Sequence, residues 1–318
     1  MADARGACSI PMGVLLLLLA TFIWGTAFLA QKVVAGNLGP IAVTVLRNIL
    51  GGVFLLVCIL VRRRQRRSPS APMVRSVIAG CCCGVPLFFA MLTQQVGIVD
   101  TTPGISAFLT ANYVLLVPVG AALIRRRLPP AYIWCGVFLA LFGTLLICLP
   151  PEQWSQLSGL GRGIGRGEAY TLVCAVLFTV QMLVVDHFAA KSDLLVMSMS
   201  QLFTCVLLGL PFLLLSSEAS CLASFSFRSF SSIWPIIYLG VFSSGIAYTL
   251  QNVAQSRTPP SLAAILMSLE SVFGALSGWI VLGDTMTTAQ FWGCALVFAA
   301  AVVTQVVATL RLESGKSA

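Results

Sequence analysis

The stretch SLAAILMSLESVFGALSGWIVLG, residues 261–283, contains a single charged side chain, Glu270, in an otherwise apolar run. At 1.5 Å per residue, Glu270 would lie about 13 Å along a helix, close to the middle of a ~30 Å hydrocarbon layer. A carboxylate at that depth costs a few kcal/mol unless a partner or a water-filled cavity receives it. The stretch therefore predicts a membrane-spanning helix in which the one acid has a specific role.

The composition of the whole chain is that of a membrane protein. Of its 318 residues, 58% are hydrophobic and 9% are charged, whereas a soluble domain carries about 25% charged residues. Ten apolar runs approach the ~20 residues that a spanning helix requires, and they lack the alternation of barrel strands. We therefore predict an all-α membrane protein with ten transmembrane helices, at residues 13–34, 41–61, 76–98, 104–124, 131–149, 168–187, 194–215, 233–255, 261–283 and 287–310.

The distribution of basic residues predicts the orientation. With both termini in the cytoplasm, fourteen of the 19 Lys and Arg residues fall on the cytoplasmic side and three fall in outer loops, as the positive-inside rule requires. The net charge of +9 then indicates contact with anionic lipid head groups, not with nucleic acid. With one histidine and no CxxC spacing, the sequence predicts neither a metal site nor a cofactor.

The chain contains an internal repeat. A shift of 157 residues superposes 94–148 on 251–305 without a gap, and a shift of 154 does the same for the start of each half. Because five spans is an odd number, the second repeat must enter the membrane inverted, which is typical of secondary transporters. We predict one five-helix repeat at 13–149, an external linker at 150–167, a second repeat at 168–310 and a cytoplasmic tail at 311–318.

An ordered set of residues marks both repeats: Trp24-Gly25, Lys32 and Arg47 in the first, and Leu269-Glu270, Gly283-Asp284 and Gly293 in the second. In this set, and over about 13–310, the chain resembles the EamA-type branch of the drug/metabolite transporter superfamily. The resemblance implies a multi-pass exporter in the cell (cytoplasmic or inner) membrane, for small polar metabolites such as amino acids or their derivatives. Ser271 replaces the family's usual proline and Asp284 its usual glutamate, and loss of the proline is expected to alter a kink.

The charged residues within the spans have both functional and structural interpretations. Glu270 could face a cavity and bind a cationic group or a proton, or it could be a hydrogen-bonded acid that fixes helix packing. Arg47 could line a cavity, extend to the outer interface, or pair with Glu270. Lys32, near the outer end of the first helix, is expected to reach the interface, although it remains a candidate binding residue.

Polar and aromatic residues in the spans complete the candidate substrate or ion site. Unpaired amides are costly in lipid, so each must face protein or water, either as a cavity lining or as a bond between helices. Tyr113 is the repeat equivalent of Glu270, and Gln94 is the equivalent of Gln251. The remaining candidates are Trp24, Asn112, Gln181, Gln201, Tyr248 and Asn252.

Several functions compete at this point. The leading hypothesis is a secondary transporter that works by alternating access around a midplane cavity, with proton antiport through Glu270 as the first mechanism to test. Exchange of sugar phosphates, nucleotide sugars or a lipid-linked carrier would need several inward cations. A membrane enzyme would need clustered catalytic groups, which the sequence does not suggest, and a non-transporting scaffold is the remaining alternative. The expected partners are a small-molecule substrate, the lipid bilayer and protons, and the chain could act as a monomer or a homodimer.

Overall fold

The computed structural model describes residues 10–35, 38–65, 71–100, 103–154, 165–224, 230–283 and 285–313. Its described part contains ten helices that are long and apolar enough to cross a membrane. The predicted all-α, ten-helix membrane fold is therefore confirmed. Two predicted site or motif positions are affected by the gaps: Asp284 lies outside the described residues, and so does the side chain of Lys32.

Each end of the ten spans lies within three residues of its predicted position. Long, nearly uniform hydropathy makes these boundaries readable, because the hydrocarbon layer fixes the length of each apolar run. The spans are Met12–Gln31, Pro40–Arg64, Met73–Gly97, Ile105–Arg125, Ala131–Cys148, Arg166–Ala189, Leu194–Leu215, Ile233–Gln255, Pro260–Val281 and Thr288–Arg311. Below they are called the first to the tenth span.

Helices from the two halves of the chain interleave in the bundle. The third span packs against the sixth and seventh, and the eighth packs against the first and second. The second span also packs on the seventh, and the fifth on the tenth. If each span is replaced by its counterpart in the other half, five spans away, every one of these contacts becomes another contact of the same set. A two-fold relation between the halves would produce this pattern. The inverted topology, the domain limits and the cytoplasmic position of both termini stay predictions.

Two spans are interrupted at equivalent places. The fourth is divided into helices Pro103–Thr110 and Tyr113–Arg125. The ninth is divided into helices Pro260–Met267 and Leu269–Ser277, the second of which continues as a π-helical segment, Gly278–Leu282. The two breaks coincide under the shift of 157 residues.

The freed backbone groups at these breaks are bonded locally, as a break in lipid requires. Asn112 donates through Nδ2 to the carbonyls of Phe108 and Leu109, both at 3.1 Å. In the ninth span, Ser268 bonds to the carbonyl of Ile265 and Ser271 to that of Ser268, at 2.6 and 2.7 Å. The ninth helix is thus broken although Ser271 replaces the proline.

The eighth span contains a π-helical segment, Tyr238–Ala247, which faces the second span. The two backbones approach closely: a Cβ atom added to Gly51 would lie 2.7 Å from the carbonyl oxygen of Gly240. Such π segments are uncommon and recur at functional sites. The segment therefore marks this helix pair for closer inspection.

Ion pairs tie the two halves together at one end of the bundle. Arg62, at the end of the second span, bonds Asp193 at 2.8 Å, and Arg125, at the end of the fourth, bonds Asp186 at 2.8 Å. Asp193 is fully buried and also accepts a hydrogen bond from the backbone N–H of Val196, the third residue of the seventh span. One carboxylate therefore caps a helix and joins the halves.

Replacing Asp193 with alanine should lower the free energy of unfolding by about 2–4 kcal/mol, since a buried partner and a helix cap are lost together. Replacing Asp186, whose partner Arg125 has a side chain that is 46% exposed, should cost about 1 kcal/mol or less. Thermal unfolding of the purified protein in detergent, followed by tryptophan fluorescence, would compare the two variants. Equal shifts of the unfolding temperature for both variants would contradict the double role of Asp193 as a helix cap and an ion-pair partner.

Candidate functional site

A polar cavity lies beside the two helix breaks at the centre of the bundle. Tyr113 is the first residue of its half-helix and Glu270 the second residue of its own, and both side chains line the cavity. Half-helix ends of this kind form the substrate sites of many transporters. The described lining consists of Trp24, Gln31, Arg47, Met91, Gln94, Thr110, Tyr113, Phe178, Gln181, Met182, Ser243, Tyr248, Gln251, Met267 and Glu270.

Arg47 is held by the π-helical segment of the eighth span. Its Nε donates to the hydroxyl of Ser244 at 2.9 Å, and its Nη2 donates to the hydroxyl of Ser243 at 2.8 Å. Trp24 donates through Nε1 to the carbonyl of Ser243 at 3.0 Å and packs against the ring of Tyr248, with centroids 5.0 Å apart. These contacts join the first, second and eighth spans around one guanidinium group.

Glu270 sits in the first turn of the second half of the ninth span. A carboxylate there is stabilised by the partial positive charge of the helix N-terminus. Among the described residues, no side chain makes a hydrogen bond or an ion pair with it. Its carboxylate therefore remains available to a ligand or a proton.

Arg47 and Glu270 share the cavity without pairing. They are the only charged side chains among the described lining residues, and no ion pair within 4.0 Å joins them. The sequence left open whether the two side chains would form a structural ion pair. The geometry instead keeps a positive and a negative group apart in one enclosure.

Buried amides close the cavity at one end. Gln251 donates to Gln181 at 3.3 Å and to Gln255 at 3.2 Å, and all three are at most 1% exposed. At the opposite end, where the first and third spans finish, the lining residues Gln31 and Gln94 are only half-buried. The cavity volume is about 70 Å³, which is room for a handful of water molecules. A metabolite would therefore need the enclosure to widen.

The predicted site residues separate into two groups. The structure brings eight of them together at the cavity: Trp24, Arg47, Gln94, Tyr113, Gln181, Tyr248, Gln251 and Glu270. Three others lie outside the lining. Asn112 bonds to its own helix, whereas Asn252 bonds to Gln201 at 3.3 Å and to Ser198 at 2.8 Å in the packed interior. Those bonds join the seventh and eighth spans.

Sequence reasoning missed several lining residues, and only one of them carried a usable signal. Gln31 lies seven residues after Trp24, which places both on one face of the first helix. Ser243 had no such signal, because a serine in an apolar helix often only donates a hydrogen bond to a carbonyl of the preceding turn. The other missed residues are Met91, Thr110, Phe178, Met182 and Met267.

Comparison with known proteins agrees with this architecture. The chain matches the EamA-like transporter family over residues 11–149 and again over 165–305. The chain belongs to the EamA-like transporter family. Its two matches correspond to the two halves of the bundle, and each half contributes one charged lining residue, Arg47 or Glu270.

Individual relatives of this EamA-like protein include both named and uncharacterised transporters. An uncharacterised transporter of Archaeoglobus fulgidus is 26% identical over 90% of this chain and 83% of the relative. The threonine/homoserine exporter RhtA of Escherichia coli is 34% identical, over 26% of this chain and 28% of its own. A solved crystal structure superposes with a TM-score of 0.69 at 20% identity and covers 93% of this chain and 98% of that one. At that identity the structural match supports the fold.

The geometry predicts which positions of the EamA-like protein contact water. In a background with the native cysteines replaced, a cysteine at Gln94 should react with a small charged thiol reagent, because Gln94 lines the half-buried end of the cavity. A cysteine at Gln201 should react at least tenfold more slowly, since Gln201 is fully buried between helices. Labelling rates in membrane vesicles would measure both. Faster labelling at Gln201 would contradict the cavity assignment.

Proposed function

We propose that this protein is a secondary transporter that exports small zwitterionic metabolites, such as amino acids or their derivatives, across the cell membrane. The observation that carries the proposal is the pair of separated charges in one cavity. Arg47 and Glu270 face the same enclosure without an ion pair, so together they complement a molecule that carries one carboxylate and one ammonium group.

The rest of the lining suits a small polar ligand. The carboxylate would bind the guanidinium of Arg47, and the ammonium group would lie near Glu270. Gln94 would bond to side-chain groups of the ligand. Gln181 Nε2 and Gln251 Oε1 are buried and have no hydrogen-bond partner among the described residues, so they would become available to the ligand once the enclosure widens. The threonine/homoserine exporter of Escherichia coli, which is similar to part of this chain, supports the same substrate class.

The competing substrates fit this lining less well. Sugar phosphates and nucleotide sugars carry two or more negative charges and need several inward cations. Among the described lining residues, Arg47 alone is a cation and Glu270 would repel such a ligand. The described lining also groups no acids, histidines or nucleophile–base pairs as a membrane enzyme would require. A transport role around this cavity is thus the stronger reading.

Alternating access would expose the cavity first to one side and then to the other. The buried amide side chains of Gln181, Gln251 and Gln255 close one end of the cavity. The narrow cavity must widen at the other end to admit a ligand. Rocking of the two interleaved halves around the helix breaks would do both. We propose that a proton gradient drives the cycle and that Glu270 carries the proton, because no described partner holds its charge.

Replacing Glu270 with glutamine should abolish the pH dependence of transport, because an amide of the same shape cannot take up a proton. Uptake of radiolabelled amino acids into proteoliposomes, with and without an imposed pH gradient, would measure the effect. Binding without a gradient should persist in the variant at reduced affinity. Gradient-driven accumulation by E270Q equal to that of the unmodified protein would remove Glu270 from the coupling step.

Replacing Arg47 with alanine should raise the KM for amino acids about 10–100-fold, since a charge-assisted hydrogen bond contributes roughly 1.5–3 kcal/mol. Competition by amino acids, their decarboxylated amines and sugar phosphates would separate the substrate classes. For the unmodified protein, we expect the amino acid to compete best. Stronger competition by sugar phosphates would favour the alternative substrate class.

A further inference from the structure

We infer that Ser243 and Ser244 are positioning residues that turn the guanidinium of Arg47 so that its end edge receives the carboxylate of the substrate. This inference rests on the proposed function. It adds that the two serines determine selectivity for carboxylates through Arg47, without touching the substrate through their hydroxyl groups.

The geometry of the guanidinium group carries the argument. Arginine presents its N–H donors along two edges, each of which can hold a carboxylate through two parallel bonds. The side edge consists of Nε and one N–H of Nη2, and the serines occupy both of these donors at 2.9 and 2.8 Å. The end edge, formed by Nη1 and the second N–H of Nη2, makes no hydrogen bond with any described residue. Since Arg47 lines the cavity, this edge is the one offered to a ligand.

The serines are themselves fixed in place. Both are fully buried and lie in the π-helical segment, where Trp24 bonds the carbonyl of Ser243 at 3.0 Å. The second and eighth spans are closely packed one turn away, where a Cβ atom added to Gly51 would lie 2.7 Å from the carbonyl oxygen of Gly240. A guanidinium held by two such hydroxyl groups cannot rotate to offer its side edge. The arrangement is therefore preorganised for one mode of carboxylate binding.

A purely structural role for the serines makes a different prediction. If they only satisfied a buried charge, their loss would lower the stability of the protein and would affect every substrate alike. If they orient Arg47, their loss should raise the KM for ligands with a carboxylate and leave ligands without one unaffected. The comparison between an amino acid and its decarboxylated amine separates the two roles.

The test uses the variants S243A and S244A in proteoliposomes, each with its threonine counterpart, which keeps a hydroxyl group. A matched control is S256A, because Ser256 directly follows the same span and its hydroxyl donates to the carbonyl of Val253 at 2.7 Å. We expect each alanine variant to raise the KM for the amino acid about tenfold with kcat nearly unchanged. The KM for the amine should not move, and threonine should restore at least half of the loss. Unchanged amino acid KM, or equal changes for both ligands, would overturn the inference.

A measurement without substrate separates this inference from the proposed function. In protein carrying isotope-labelled arginine, nuclear magnetic resonance reports the rate of rotation about the Nε–Cζ bond of Arg47, with R47K used to assign the signal. We expect slow rotation in the unmodified protein, fast rotation in the alanine variants and slow rotation in S256A. Fast rotation in the unmodified protein would refute the fixed orientation of the Arg47 guanidinium. Absence of amino acid transport together with slow rotation would refute the proposed substrate, whereas the orientation of Arg47 by the two serines would still hold.

Discussion

The burial of a guanidinium charge inside the hydrocarbon layer is the constraint on which the rest of this structure depends. A cation at that depth must find its solvation within the protein. Arg47 obtains it from two serine hydroxyl groups on the eighth span, and those groups reach it only because glycines let the second and eighth spans approach closely. The position of Trp24 follows from the same contact, since its indole bonds the backbone of Ser243. One charge thus fixes the arrangement of three helices.

The helix breaks in the fourth and ninth spans meet the same requirement, that polar groups within the hydrocarbon layer be bonded inside the protein. A broken helix frees backbone groups that water cannot reach, and these must be bonded by nearby side chains. Asn112, Ser268 and Ser271 supply those bonds. What the breaks provide in return is a helix N-terminus at the middle of the bundle, whose partial positive charge favours an acidic side chain in the first turn. Glu270 occupies that turn.

The sequence predicted what hydropathy and charge encode, and failed where only side-chain direction decides. The ten spans were predictable because lipid fixes their length, and Arg47 and Glu270 stood out because charges are rare in such runs. The repeat shift paired Tyr113 with Glu270, and the structure places both at helix breaks. Amides were harder: Gln181 and Gln251 line the cavity, whereas Gln201 and Asn252 bond two helices together. The helical period of 3.6 residues does not show which amides line the cavity and which bond helices together when polar residues occupy several faces of one helix.

The two ends of the bundle carry related ties, which bears on how the halves could move. At one end, Asp193 caps the seventh span through the N–H of Val196 and bonds to Arg62 of the other half. At the opposite end, Glu218 caps the second span through the N–H of Ala42, at 2.9 Å. Ala42 and Val196 are equivalent under the shift of 154 residues, so the predicted repeat places a carboxylate at corresponding helix ends. The first cap belongs to the helix that it serves, whereas the second comes from the other half. Because Glu218 is itself the bridge, separating the halves there would uncap a helix. At the Asp193 end, separation would break the ion pair with Arg62 and the bond from the Asp193 N–H to the hydroxyl of Ser76, but it would leave the cap in place.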